Sequence, residues 1–273
     1  MRKVFKIVLW LTFLFFMVST TGCASWNRLL SGLKYKRNVI SHEQDKRILF
    51  ESDAKKNAEK IRLILDSCIE IVTGYYGSPF EKDIYITISA TQKNHVRRCG
   101  DFEKSRGMAN WGRVFISPLA FTSNTYTSIL IHELTHLHTM EKTGIFHYIG
   151  DIPAWFSEGL SVYVSNGGGA ESFTDSQAIE WILEGRHFNP TNTGSLLKPS
   201  GYVSTLTWPM FYRQSELFVK YLMDYDSTSF KCLLRDLEEK KKFNKSFTKR
   251  YKAFPAEMFE MFLKEKRSAR NSS

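Results

Sequence analysis

Ile131-His132-Glu133-Leu134-Thr135-His136 sets two histidines four residues apart, with a glutamate directly after the first. On an α-helix a four-residue step overshoots one turn by roughly 40°, so both imidazoles project from one face and Glu133 lies at its edge. Neutral imidazoles are ligands for an ion of the zinc type, and a carboxylate beside them can move a proton. With the His and Glu usage of this chain, the pattern arises by chance in about one sequence in a hundred of this length, so a metal site is favoured over coincidence.

The flanks read as a helix on independent grounds. Asn124 or Thr125 offers a cap, Leu130, Leu134 and Leu137 form an apolar stripe, and Gly144 stops the run. The stripe falls roughly opposite the histidines, which predicts one side on a core and the other facing a cleft. A sequence resembling the metzincins would continue with a glycine and then a third histidine as ligand, and Thr139 and Lys142 stand in those places. The third ligand must therefore come from elsewhere. Asp151-Ile152-Pro153-Ala154-Trp155-Phe156-Ser157-Glu158-Gly159-Leu160 reads as a second helix, with Asp151 as its cap and proline in its first turn. Glu158 follows His136 by enough chain for an antiparallel return, and Gly159 would let the two helix backbones approach closely. His132, His136 and Glu158 then make a zinc ligand set with water as the fourth.

HELTH followed by PAWFSEGL resembles the gluzincins, the thermolysin-type clan of zinc metallopeptidases, above all its small members with a Trp-x-x-Glu-Gly motif. The likeness covers about residues 50 to 235. The segment Trp111 to Ser117 resembles the edge strand that lines the cleft of those enzymes. The resemblance implies a small zincin-like domain, a peptide or protein substrate, and Glu133 as general base. It also implies Tyr212, in Phe211-Tyr212-Arg213-Gln214-Ser215, as hydrogen-bond donor to the oxyanion. One position departs from the pattern. Thermolysin-like enzymes often place an aspartate four residues after the glutamate ligand to orient a zinc histidine, and Val162 stands there. The partner that orients the histidines is unassigned.

The chain begins with a basic stretch through Lys6, followed by an apolar run from Ile7 to Val18. That run is short for a bilayer span and suits a signal peptide. It ends Ser19-Thr20-Thr21-Gly22-Cys23, which resembles a bacterial lipobox with Cys23 as the lipidated residue. An uncleaved anchor is the alternative. Both place the folded part outside the cytoplasm on a membrane, and Ala24 after Cys23 points to the outer membrane facing the periplasm. Losing residues 1 to 22 removes Arg2, Lys3 and Lys6 from the 38 bases, and the mature chain carries a net charge of about +7 against 28 acids. That charge suits anionic lipid or acidic envelope polymers. It forms no continuous stripe for nucleic acid. Cys68, Cys99 and Cys232 allow one disulfide, with Cys68 read as a buried free thiol, and none has metal-ligand spacing.

The remaining order is a tether (23–45), a folded domain (46–265) and a polar tail (266–273). Ala54 to Tyr75 reads as an amphipathic helix with Ile61, Ile64, Leu65, Cys68 and Ile71 on its apolar side. Asp83 to Ser89 and Met108 to Ser117 read as strands, the latter as the cleft edge. His95 reads as surface, His138 as structural, and Gly167-Gly168-Gly169 as a connection rather than a lid. Helices follow to residue 264. Strands early and helices late predict an α+β fold, a small zincin-like domain. The function expected is zinc-dependent hydrolysis of peptide bonds at the envelope. The alternative is a non-catalytic, zinc-stabilised binding lipoprotein. Glu133 argues against that alternative, because a purely structural site needs no base and favours four protein ligands.

Overall fold

A computed structural model describes residues 38–100, 102–110, 112–195 and 199–271. The leader, Cys23 and Trp111 lie outside the described residues. Ile86 and Ile88, both fully buried, belong to β3 (Tyr85–Ile88), the middle strand of a five-stranded sheet. The others are β1 (Ile40–Ser41), β2 (Ile48–Phe50), β4 (Gly107–Asn110) and β5 (Arg113–Ile116), in the spatial order β1-β2-β3-β5-β4. β2, β3 and β5 run parallel, and β1 and β4 close the two edges antiparallel. A parallel pair needs a crossover, and α1 (Lys55–Tyr76) supplies it between β2 and β3. α1 buries Ala58, Ile61, Leu65, Cys68 and Val72 and ends at Gly77, whose φ of 71° is the left-handed stop. Ile71, expected on this face, is exposed, because the helical step carries the stripe from Cys68 to Val72.

The run from Met108 to Ser117 is a hairpin rather than one strand. Asn110 pairs with Arg113, and Gly112 turns the chain at a φ of 74°. β4 is therefore the edge beside the cleft, and β5, which carries most of the segment expected there, lies one strand inside. β1 shows that part of the expected tether joins the sheet.

Eleven helices are present among the described residues. After α1 come α2 (Gln92–Cys99), α3 (Pro118–Thr122), α4 (Tyr126–Thr143) and α5 (Ile145–Asp151). Then follow α6 (Ala154–Val164), α7 (Asp175–Leu183), α8 (Trp208–Tyr225), α9 (Ser227–Glu238), α10 (Phe243–Tyr251) and α11 (Pro255–Asn271). The fold is α+β, and its helical half packs around Trp155 of α6. That fully buried ring lies 5.0 to 6.5 Å from Phe156, Phe188, Phe218, Phe243 and Phe247. α11 continues through most of the expected tail. No helix of the described residues is long and apolar enough to cross a membrane.

Asp151 does not cap α6. It ends α5, its Oδ2 accepts the Phe243 N–H at 2.6 Å, and Pro153 holds the N-cap position of α6 without a side-chain bond. Cys68, Cys99 and Cys232 are thiols, not halves of a disulfide. Burial pushes the Cys68 thiol up to about 12, as its reading as an inert core residue requires.

His95, read as surface, is fully buried on α2, where burial and nearby Arg98 push its pKa down to about 3. His138 is structural as read. It stacks on Tyr76 at 4.2 Å and its Nε2 donates to the Ser78 carbonyl at 3.0 Å, with burial pushing it down to about 4. Both rings are neutral in the fold, while the unfolded chain takes up their protons near pH 6.5. Below that pH the unfolded state binds more protons, so stability is full above pH 6.5 and is lost as pH falls towards 4. The Tm measured across that window should drop. In His138→Phe the slope should be shallower, whatever its Tm at pH 7. An equal slope would remove His138 from the effect.

Candidate metal centre

α4 is a central helix. Every residue from Ile129 to His138 is buried, including the histidine side that the sequence sets towards a cleft. On that side a carboxylate from α6 and a carbonyl from the following loop meet His132 and His136. His132 Nε2 lies 3.0 Å from His136 Nε2, and Glu158 Oε2 lies 3.3 and 3.2 Å from the two nitrogens.

Hydrogen bonding shows what those atoms offer. His132 Nδ1 is 2.8 Å from the carbonyl oxygen of Gly168, and a carbonyl only accepts. The ring proton therefore sits on Nδ1, and neutral His132 presents a bare Nε2 lone pair. His136 Nδ1 meets the Tyr148 hydroxyl at 2.8 Å and Ser161 Oγ at 3.1 Å, and a hydroxyl accepting the Nδ1 proton is the arrangement that leaves Nε2 to an ion. Burial raises the tyrosine's pKa, Glu158 adds to the shift, and the phenol stays protonated. Burial opposes ionisation of Glu158, while positive charge and hydrogen bonds from the two imidazoles, in their protonated form, bring its pKa down to about 2; a cation held among the three groups would favour the carboxylate in the same sense.

Two nitrogens and one carboxylate oxygen thus converge as electron-pair donors. Zinc bonds of about 2.0 to 2.1 Å at tetrahedral angles put ligand atoms roughly 3.3 Å apart. The observed edges of 3.0 to 3.3 Å fit that triangle, and these are the residues among those described that could hold an ion. Glu158→Ala should leave two imidazoles and weaken zinc retention by at least about tenfold. Full zinc content of that variant after dialysis would take Glu158 out of the set.

Gly168, Tyr148 and Ser161 hold the place that an aspartate at position 162 would have filled. Val162 is fully buried. The glycine stretch is therefore more than a connection: it brings an orienting carbonyl to His132. A Cβ on Gly168 would come within 2.5 Å of the Ser128 carbonyl oxygen, so only glycine lets the turn sit against the start of α4. Asn166-Gly167-Gly168-Gly169 directly after the glutamate helix was the available signal for this.

Glu133 is 7% exposed, and its side chain lies against Gly107 at the head of β4. A Cβ there would fall 2.8 Å from Glu133 Cγ and 3.0 Å from Oε1. Tyr212, on α8, brings its ring centroid to 5.8 Å from that of His132. His147 lies 3.3 Å from the Lys241 carbonyl and 3.4 Å from Asp151, where it ties α5 to the start of α10. Gly159 does not separate the two metal helices. Its Cα faces α8, where a Cβ would come 2.4 Å from the Ser215 carbonyl oxygen.

No family model matches the chain, and no curated protein matches it. Solved structures that the chain resembles in part include two of one yeast enzyme. Native yeast LTA4 hydrolase gives a TM-score of 0.49 at 13% identity, over 78% of this chain and 36% of that one. The same yeast enzyme in complex with bestatin gives 0.48 at 13% identity, over 84% and 37%. The chain thus spans little more than a third of the length of those structures.

Proposed function

We propose that this chain is a zinc-dependent peptidase. The observation that carries the reading is the placement of a buried carboxylate, Glu133, beside three convergent protein donors. A metal held only for structure has no use for that base. A zinc ion held by His132, His136 and Glu158 would supply Lewis acidity and make water a stronger acid. The chain's own residues do the rest. Gly168, Tyr148 and Ser161 fix the two imidazoles. The carboxylate of Glu133 takes the proton of the attacking water and passes it to the leaving amine. Tyr212 donates a hydrogen bond to the carbonyl oxygen as its negative charge grows. β4, paired to β5 on one side, offers its other edge to an extended peptide.

The proposal extends to the cell envelope. The basic leader, short apolar run and Gly22-Cys23 support a lipid on Cys23 and an address at the outer membrane, facing the periplasm. The test of the activity is cleavage of a mixed peptide pool by the purified zinc-loaded chain, read by mass spectrometry. Cleavage should stop on chelation and return with zinc. A fully zinc-loaded chain that binds peptides and cuts none would instead be a binding module. Tyr212→Phe should lower kcat by about a hundredfold with KM and zinc content unchanged, since its bond forms only as charge develops. An unchanged kcat would return Tyr212 to a packing role.

A further inference from the structure

The turn that orients His132 has little to hold itself in place. Gly167 and Gly169 sit at φ values of 96° and 92°, and three successive glycines lose more conformational freedom on ordering than any other residues. Its order must come from outside, and the clamps can be named. Ser165 Oγ accepts the Gly168 N–H at 3.0 Å. Arg213 donates to the carbonyls of Ala170 and Phe173 at 3.4 and 3.1 Å. Glu171 Oε2 accepts the Gly169 N–H at 3.1 Å.

Glu171 differs from the other two clamps in its further reach. The same Oε2 lies 2.6 Å from Arg106 Nη2, and Oε1 accepts from Ser128 Oγ at 3.4 Å. Arg106 also donates to Thr125 Oγ1 at 3.2 Å, at the cap of α4. Arg106 directly precedes Gly107, the residue pressed against Glu133. One ion pair therefore stands between two pieces of backbone: one touches the base, and the other touches the first imidazole. Its side chains are 22% and 30% exposed, so as a source of stability the pair is worth little. As a brace between the two pieces of backbone it can do more.

We propose that Glu171 is a positioning residue that holds the Gly168–Gly169 turn, and through it the imidazole of His132, in register with the edge strand β4. The proposal rests on the metal reading of the site and is independent of peptide hydrolysis. Removing the carboxylate frees the Gly169 N–H and the Arg106 guanidinium together. The Gly168 carbonyl then loses its fixed direction, and the His132 ring loosens about its bond to the metal.

The test uses the whole chain loaded with Co2+, whose visible absorption reports ligand geometry. Glu171→Ala should keep its circular dichroism, shift the cobalt bands, and release cobalt to a chelator about three- to tenfold faster. That is less than the ten- to hundredfold usual for a direct partner of a ligand, because Glu171 acts one bond further out. Glu171→Gln keeps an oxygen for the Gly169 N–H and should restore the wild-type spectrum. A folded Glu171→Ala with wild-type bands and release rate would overturn the proposal. If Glu171→Ala does not fold, Arg106→Ala decides. It leaves Glu171 with one holder fewer, and cobalt should leave about two- to threefold faster, whereas an unchanged rate would equally overturn the idea. A wild-type chain that takes up no cobalt would sink the metal reading and this proposal with it.

Discussion

Glu133→Gln should fold, hold its zinc and still bind peptides, yet hydrolyse them about a hundredfold more slowly or worse. The expectation follows from where the side chain sits. Glu133 is buried, and its Cγ and Oε1 lie so close to Gly107 that a Cβ there would crowd them. Glutamine keeps nearly the same volume and one oxygen, so packing against β4 survives. What it lacks is a carboxylate able to accept a proton, and no other residue in the metal triangle can take that part while holding an ion. A binding module moves no proton, and in that case the substitution would change nothing measurable. Cleavage by matched amounts of wild type and variant decides, with zinc content and melting temperature as controls. Equal rates would end the mechanism proposed here.

Gly159→Ala should damage the fold. The added methyl would stand 2.4 Å from the carbonyl oxygen and 2.6 Å from the carbonyl carbon of Ser215, and backbone atoms of a helix cannot swing aside as a side-chain tip can. α6 and α8 would have to part. The cost falls at the upper end of overpacking, about 3 kcal/mol, or roughly 6 to 12 °C in Tm for a domain of this size. Zinc retention should fall too, because Glu158 is the preceding residue on the helix that moves. Gly74→Ala is the control. A methyl added to that helical glycine of α1 would meet nothing within 4 Å, and alanine there should raise stability by about 0.5 to 1 kcal/mol. A Gly159→Ala chain with wild-type Tm and zinc would show that the two helices separate at little cost.

What the sequence made legible was local. His132, Glu133 and His136 share one helix turn, and their spacing alone places them together. Glu158 followed from a second helix close behind, although α5 intervenes where only a turn was expected. The atoms that orient the histidines were not legible. Gly168 lies 36 residues from His132, Ser161 25 from His136, and Tyr148 reaches His136 from a helix of seven residues. Such pairs depend on the route of the chain, which no spacing rule encodes. The sheet was read in part for a similar reason. Strands of two to four residues, such as β1, β2 and β4, are too short for an alternating pattern to declare itself. His95 was misplaced because a polar residue in a charged segment reads as surface unless its contacts are known. The helical half was easier, since apolar stripes repeat over longer stretches.

The carbonyl of Gly168 that turns His132 belongs to a scaffold of a different kind from a zinc finger. In a zinc finger the ion gathers ligands that a disordered chain could not gather, and folding waits for metal. Here the ring is held by backbone on a full-sized core around Trp155, whose burial of apolar surface involves no ion. The binding energy of an ion would therefore tighten the site more than build the fold.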